Sequence, residues 1–197
     1  MKNIIVVVTV GLLLTMGNLV MSSCGSATVK KSRIHGTMES AQWDGKKIYL
    51  VPMFGHVDAA HVDSAIIKNG RFEFATNSCE MKRITVEVSA RYGTQDLLVV
   101  TEPGDIQVSI GKNSRAGGTP ENDSLQVWKD QLMKYSAALN LISKQEKYVN
   151  DTSLLKSKRK AIISQITSYT EQMKKRMSSG PFKTFLEKMY PSKCVIR

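Results

Sequence analysis

A single change of rhythm divides the chain. From Ser32 to Ile110 the apolar residues recur at every second position, in short runs broken by turn residues. From Thr119 onward they recur every third or fourth position. Period two lines one face of a strand, and the three-four alternation lines one face of a helix. The chain therefore has to be β-rich first and helical afterwards. "SRIHGTME" and "KKIYLVPM" read as strands joined across a "WDGKK" turn. "VDSAIIKNGRFEFAT" reads as a hairpin, because Asn69-Gly70 suits the two positive-φ positions of a type I′ turn. "MKRITVEVSA" alternates Ile84, Val86 and Val88 against polar residues, and "QDLLVVTE" is a continuous apolar run of the kind expected in a central strand. "EPGD" is a turn, followed by a last strand, "IQVSI". About seven short strands at this spacing predict an antiparallel β-sandwich or barrel.

The helical part carries two stripes. Leu125, Trp128, Leu132, Tyr135, Leu139 and Ile142 follow one another at three-four spacing, and Leu155, Ile162, Ile166, Tyr169 and Met173 repeat the pattern after "YVNDTSLL". Asp151 or Thr152 suits the cap of the second helix. Together they predict an antiparallel helical hairpin. "SSGP" ends it, and "FKTFLEKMY" reads as a short third helix or a docking tail. Between the two halves, "GKNSRAGG" reads as a flexible connection. "TPEND" starts the first helix, with Thr119 as cap, Pro120 at the first position, and Glu121 and Asp123 at the positive end of the dipole. The fold expectation is α+β: the β-rich part over 32–118, then the helical hairpin and C-terminal tail over 119–197.

Charge follows the same division. From Lys30 to Gly118 there are 12 Lys/Arg against 10 Asp/Glu, a net of +2; from Thr119 to Arg197 there are 15 against 7, a net of +8. The excess includes "KSKRK" and "KKR". It reads either as a solvated helix face or as attraction to an anionic partner such as lipid headgroups. No nucleic-acid module accompanies it, although Trp128, Tyr135, Tyr148 and Tyr169 lie in the same region.

The first residues, "MKNIIVVVTVGLLLTMGNLVMSSCGSA", have a short positive start, a long apolar run and small residues before a cysteine. That is the layout of a secretory signal. The segment before Cys24 resembles the lipobox of bacterial lipoproteins, with Met21 where leucine is usual. The resemblance implies a signal peptide over 1–23, acylation of Cys24 (a palmitate-type anchor), and a short tether over 24–31. The competing reading is a plain transmembrane anchor. Cys79 and Cys194 would remain, either as a disulfide or as independent thiols, and there is no C-x-x-C.

"VDSAIIKNGRFEF", "TEPGDIQVSI" and "GGTPEND" together resemble the successive motifs of domain-of-unknown-function family 4369, over about Arg33 to Trp128. Glu121 stands where that family commonly has an apolar residue. The resemblance implies a lipoprotein of Bacteroides-type bacteria, a β-rich domain with helices, and a frequent neighbour in the form of a thioredoxin-like reductase. The chain ends at Arg197 without room for a thioredoxin fold, so reductase activity is not expected to carry over. "GSATVKK" after Cys24 lacks the acidic cluster associated with surface export in such bacteria, so the expected location is an outer or inner envelope membrane, facing the periplasm. Asp-Ser-Ala at 63–65 and Asp-Ser-Leu at 123–125 resemble short O-glycosylation acceptors, making Ser64 and Ser124 candidates.

Catalytic constellations do not stand out. His56 and His61 flank "VDAA", with Asp58 and Asp63 nearby and His35 elsewhere, but the spacing suits neither a helix face nor a strand face, so no metal is expected. Asp63, Glu102 and Asp105 are explained by turns and hairpin starts as well as by acid–base chemistry. There is no G-x-S-x-G, phosphate loop or dinucleotide fingerprint. The expectation is a non-enzymatic binding or scaffolding module of the cell envelope. It has no catalytic residues and no cofactor. Its partners would be the membrane through the lipid and an unknown envelope protein or ligand, not nucleic acid. Two alternatives are an accessory role in thiol–disulfide chemistry through Cys79 or Cys194, and membrane-surface binding through the basic helices.

Overall fold

The computed structural model describes residues 31–86, 96–149 and 151–192. Eight strands form two four-stranded sheets. Sheet I holds β1 (Ser32–Met38), β4 (Arg71–Thr76), β7 (Gly104–Ile110) and β8 (Arg115–Gly117), in the order β4-β1-β7-β8. Sheet II holds β2 (Lys47–Pro52), β3 (Asp63–Ile66), β5 (Met81–Val86) and β6 (Leu97–Val100), in the order β3-β2-β5-β6. The expected sandwich followed by helices is the observed architecture. The inward residues of both sheets, among them Ile34, Ile48, Leu50, Phe72, Ile84, Val99 and Ile106, make one apolar layer, with Trp43 at its margin.

Four local expectations change. The pairing is not wholly antiparallel, since β1 and β7 run parallel, Ser32 opposite Gly104 through Met38 opposite Ile110. The Asn69-Gly70 turn forms as its sequence requires, with φ of 51° and 68°. Its strands, however, do not stay together. Lys68 and Arg71 exchange two backbone hydrogen bonds of 2.9 and 3.0 Å, and then β3 joins sheet II while β4 joins sheet I. The reason is Ile67, which is fully buried between the sheets and donates its N–H to the Lys46 carbonyl, pulling the chain across the core. The continuous run "LLVV" is an edge strand rather than a central one; it is apolar because both its faces are covered, Val99 by the inter-sheet core and Val100 by helices. And "GKNSRAGG" is not simply a flexible connection, because it contains β8, paired to β7 through Gln107–Gly117, Val108–Ala116 and Ser109–Arg115.

The helical part is α1 (Pro120–Gln145), α2 (Ser153–Arg176) and α3 (Pro181–Met189), with a 3₁₀ turn, Glu146–Tyr148, between the first two. α1 and α2 are antiparallel: Trp128 Nε1 donates to Thr170 Oγ1 near one end, and Arg159 donates to Ser143 and Glu146 near the other. Asp151 caps α2 by accepting from the Ser153 N–H at 2.9 Å, whereas the Thr152 side chain makes no cap bond. The "FKTFLEKMY" segment is a docked helix. Phe182, Phe185 and Leu186 join Leu125, Trp128 and Met173 against Met81 and Val100 on the outer face of sheet II. The base of the hairpin thus packs on the sandwich, while its other end projects. No helix among the described residues is long and apolar enough to cross a membrane.

Candidate functional site

The seam between sandwich and helices is built from the turn after β6 and the first turns of α1. A helix start leaves backbone N–H groups without partners. Here they are satisfied from outside: Glu102 Oε1 accepts from the N–H groups of Glu121 at 2.7 Å and Asn122 at 3.1 Å. Thr119 occupies the cap position but makes no cap bond; its hydroxyl accepts from Asn122 Nδ2 instead. Glu121 does not simply sit at the helix dipole. Its Oε2 accepts from the Phe182 N–H at 2.8 Å, so it caps α3. Burial raises the Glu121 pKa, the Phe182 bond opposes that, and nearby Glu102 adds to the rise. Asn122, fully buried, imitates a strand residue: its Oδ1 accepts from Val100 N–H at 2.9 Å and its Nδ2 donates to Val100 C=O at 2.8 Å.

One turn further along, α1 treats the edge of the other sheet in the same way. Gln126 Oε1 accepts from the Ala116 N–H of β8 at 3.1 Å, and Gln126 Nε2 donates to Asp130 at 2.7 Å. Arg115 clamps Asp130 with two bonds, 2.8 and 3.2 Å. Burial pushes the Asp130 carboxyl up, but the bonds from Arg115 and Gln126 outweigh it and hold the group below the usual carboxylate range. Lys129 reaches the Ser114 carbonyl at 3.2 Å, and its burial pulls the ammonium down to about 8. Between this part of α1 and the outer face of sheet I lies an open groove of about 550 Å³, with Thr37, Gln107, Ser109 and Arg115 on the sheet side and Asp123 and Val127 on the helix side. Its walls offer a hydroxyl, an amide and a clamped ion pair, which suit an uncharged polar ligand bound by hydrogen bonds.

The remaining candidates fall apart in space. His61 Nδ1 lies 2.6 Å from Asp58, whose carboxylate also accepts from the Ala60 and His61 N–H groups; this is a local turn, and the His61 bond leads in lowering the Asp58 pKa. His56 is exposed on the same loop. His35 stands on the other sheet, between Glu73 at 3.3 Å and Asp105 at 3.4 Å. Among the described residues no three such groups converge to hold a metal ion. Asp63 and Glu80 flank the buried Lys82 ammonium at 3.6 and 3.5 Å. Ser64 is exposed on β3, opposite Tyr49, and the Ser124 hydroxyl donates to the Pro120 carbonyl at 2.8 Å. Cys24 and Cys194 lie outside the described residues. Cys79 is exposed beside a cleft of about 440 Å³ with Phe54, Gly180 and Lys188. Desolvation, then Glu121, Glu102 and Glu80, raise its pKa, so the nucleophilic thiolate is disfavoured at neutral pH.

What the three motifs have in common is now visible: they supply the Asn69-Gly70 turn, the Glu102 cap and the Glu121-Asn122 pair. Over residues 32–125 the chain matches the family described as Domain of unknown function (DUF4369). Residues 32–125 form a DUF4369 domain. The matched region ends at Leu125, so it takes in the first turn and a half of α1, with the Glu102 cap and the Asn122–Val100 pair that join α1 to the sandwich. Neither a curated protein nor a solved structure matches the chain.

Sequence reasoning placed Glu102 in its turn and Glu121 at its helix start but missed what each caps. The Glu102 acceptor is about twenty residues from its donors and the Glu121 acceptor about sixty from its own. No local pattern encodes such pairs. The groove was missed for the same reason, because it needs β8 beside α1.

Proposed function

We propose that the chain is a non-enzymatic binding or scaffolding module of a cell-envelope lipoprotein, anchored through Cys24 and facing the periplasm. The observation that carries this reading is the fate of the motif residues. Glu102, Glu121 and Asn122 all bond to backbone groups, and what they build is a joint between the β6 edge and two helices. Such a joint makes a platform, and the platform's polar groove along α1 is its binding surface. The thiol–disulfide alternative is less well supported, since burial first, and then three nearby carboxylates, push the Cys79 thiol pKa up. A photo-crosslinking amino acid at Gln107, in the full chain expressed in a Bacteroides-type host, is expected to give a discrete adduct that is lost in Ser109→Trp, which fills the groove. Crosslinking indistinguishable from that at the exposed Lys112, or substrate turnover by the purified full chain, would overturn the reading. The anchor has its own check: labelling with radioactive palmitate should disappear in Cys24→Ala.

A further inference from the structure

The end of the hairpin farthest from the sandwich has a composition unlike the rest of the surface. Exposed apolar residues occur there on the last turns of α1 (Leu141), the 3₁₀ turn and its exit (Tyr148, Val149) and the start of α2 (Leu154). Tyr148 is 87% exposed, Leu154 63% and Leu141 61%, whereas most large apolar residues among the described residues are buried or half-buried. Around them stand Lys144, Lys147, Lys156, Lys158 and Lys160, and none of these has a carboxylate within ion-pair distance among the described residues. The one local ion pair uses Arg159 and Glu146, at 2.6 Å, and serves to join α1 to α2. Between Leu141 and Ser168 there are six basic and two acidic residues, a net of +4. From this end an open depression of about 600 Å³ continues along α2, lined by Lys156, Lys160, Ile163, Ser164 and Thr167.

We infer that this tip docks on an anionic lipid surface. The charge pattern selects the sign of the partner, because unpaired lysines gain most beside a dense array of phosphates. The shape selects its kind. The apolar residues sit at the point of a projecting arm and not in a recess, and a bilayer interface yields around such a point. Tyrosine suits that interface with its ring in the acyl boundary and its hydroxyl in water, and lysine stems lie along apolar surface while their ammonium groups stay with the headgroups. The depression on α2 adds a basic rim over an apolar floor, the lining a phosphate headgroup and its glycerol would meet. This surface is separate from the groove beside β8, and the inference stands whether or not that groove binds a ligand.

The experiment uses the full chain carrying Tyr148→Trp, reconstituted in vesicles. The two native tryptophans are buried, Trp43 at 5% and Trp128 at 3% exposure, and provide an unquenched background. Brominated phosphatidylcholine is supplied either in the chain-bearing vesicles or in protein-free vesicles added to them, with and without phosphatidylglycerol. The N-terminal apolar segment is present in every sample, so quenching at position 148, rather than sedimentation, is the readout. With phosphatidylglycerol in the brominated vesicles, the emission added by the substitution is expected to fall at least twofold in one of the two arrangements. It should recover in high salt. The fivefold Lys→Gln variant at 144, 147, 156, 158 and 160, checked for an unchanged melting curve, should abolish the quenching. Equal quenching with and without phosphatidylglycerol, or quenching that survives in the lysine variant, overturns the inference. So does no quenching in any vesicle, an outcome that would assign the tip to an acidic pocket of another protein.

Discussion

At the scale of single residues, the joint depends on groups whose partners are backbone atoms and cannot be replaced by another side chain. Asn122→Leu leaves the Val100 N–H and C=O buried without partners, and each such loss costs about 1–3 kcal/mol. The variant should therefore unfold at a clearly lower urea midpoint, with an unchanged slope if the fold survives. An undiminished midpoint would show that Val100 finds other partners. Glu121 gives a pH dependence of a definite sign. Its pKa is raised in the folded state, so the fold binds that proton more tightly than the unfolded chain does. The associated stability is fully present below the unfolded pKa and is lost as pH rises through the folded one. Wild type should thus gain on Glu121→Gln as pH falls from 7 to 4, measured as the difference in urea midpoints. Lys129 runs the other way. Its folded value of about 8 lies below the ordinary 10.5, so the penalty of charging it is present below 8 and is relieved between those values. Relative to Lys129→Met, wild type should gain about 1 kcal/mol between pH 8 and 10, after allowing for the part of the ammonium that water screens.

At the scale of elements, α3 shows how little sequence is needed to dock a helix when its start is capped from elsewhere. Phe182 is fully buried and stands edge-on to Trp128, with ring centroids 5.8 Å apart. Phe182→Ala should cost about 3–5 kcal/mol and shift Trp128 emission to the red while the far-UV signal of the sheets is kept. Gly180 precedes it at φ 129°, and a Cβ there would lie 2.1 Å from Glu121 Oε1. Gly180→Ala should therefore weaken the same docking without touching an apolar contact. These elements also mark how far the sequence could be read. Both helical stripes, the strand alternation and the Asn69-Gly70 turn were legible, because each is a local period or a local backbone preference. Which sheet a strand joins was not. The turn at 69–70 has the sequence of a hairpin, and Ile67, two residues earlier, sends its arms to opposite sheets. β8 was illegible too, being three residues long, ending in Gly117 with Gly118 next, and bonded by Gln126 of a helix that follows it in sequence.

At the scale of the whole molecule, α1 lies along the side of the sandwich where β6 and β8 are both edge strands, and its Asn122 and Gln126 occupy backbone groups on each. A chain ending at Gly118 keeps the inter-sheet core but uncovers both edges together. It should self-associate in size-exclusion chromatography where the full helical part prevents it; a monodisperse truncated form would contradict that protective role. The parallel pair β1–β7 has a consequence for time. β1 is an inner strand of sheet I, yet both of its neighbours come later: β4 begins at residue 71 and β7 at residue 104. A chain made from its N-terminus must carry β1 unpaired until β4 emerges and with one edge bare until β7 follows, and it cannot finish sheet I before Ile110. Sheet I therefore closes late in synthesis, and slowly for its size, because its central strand closes two long loops. A stalled or clipped chain would present one bare inner strand, the form a holding chaperone is suited to grip.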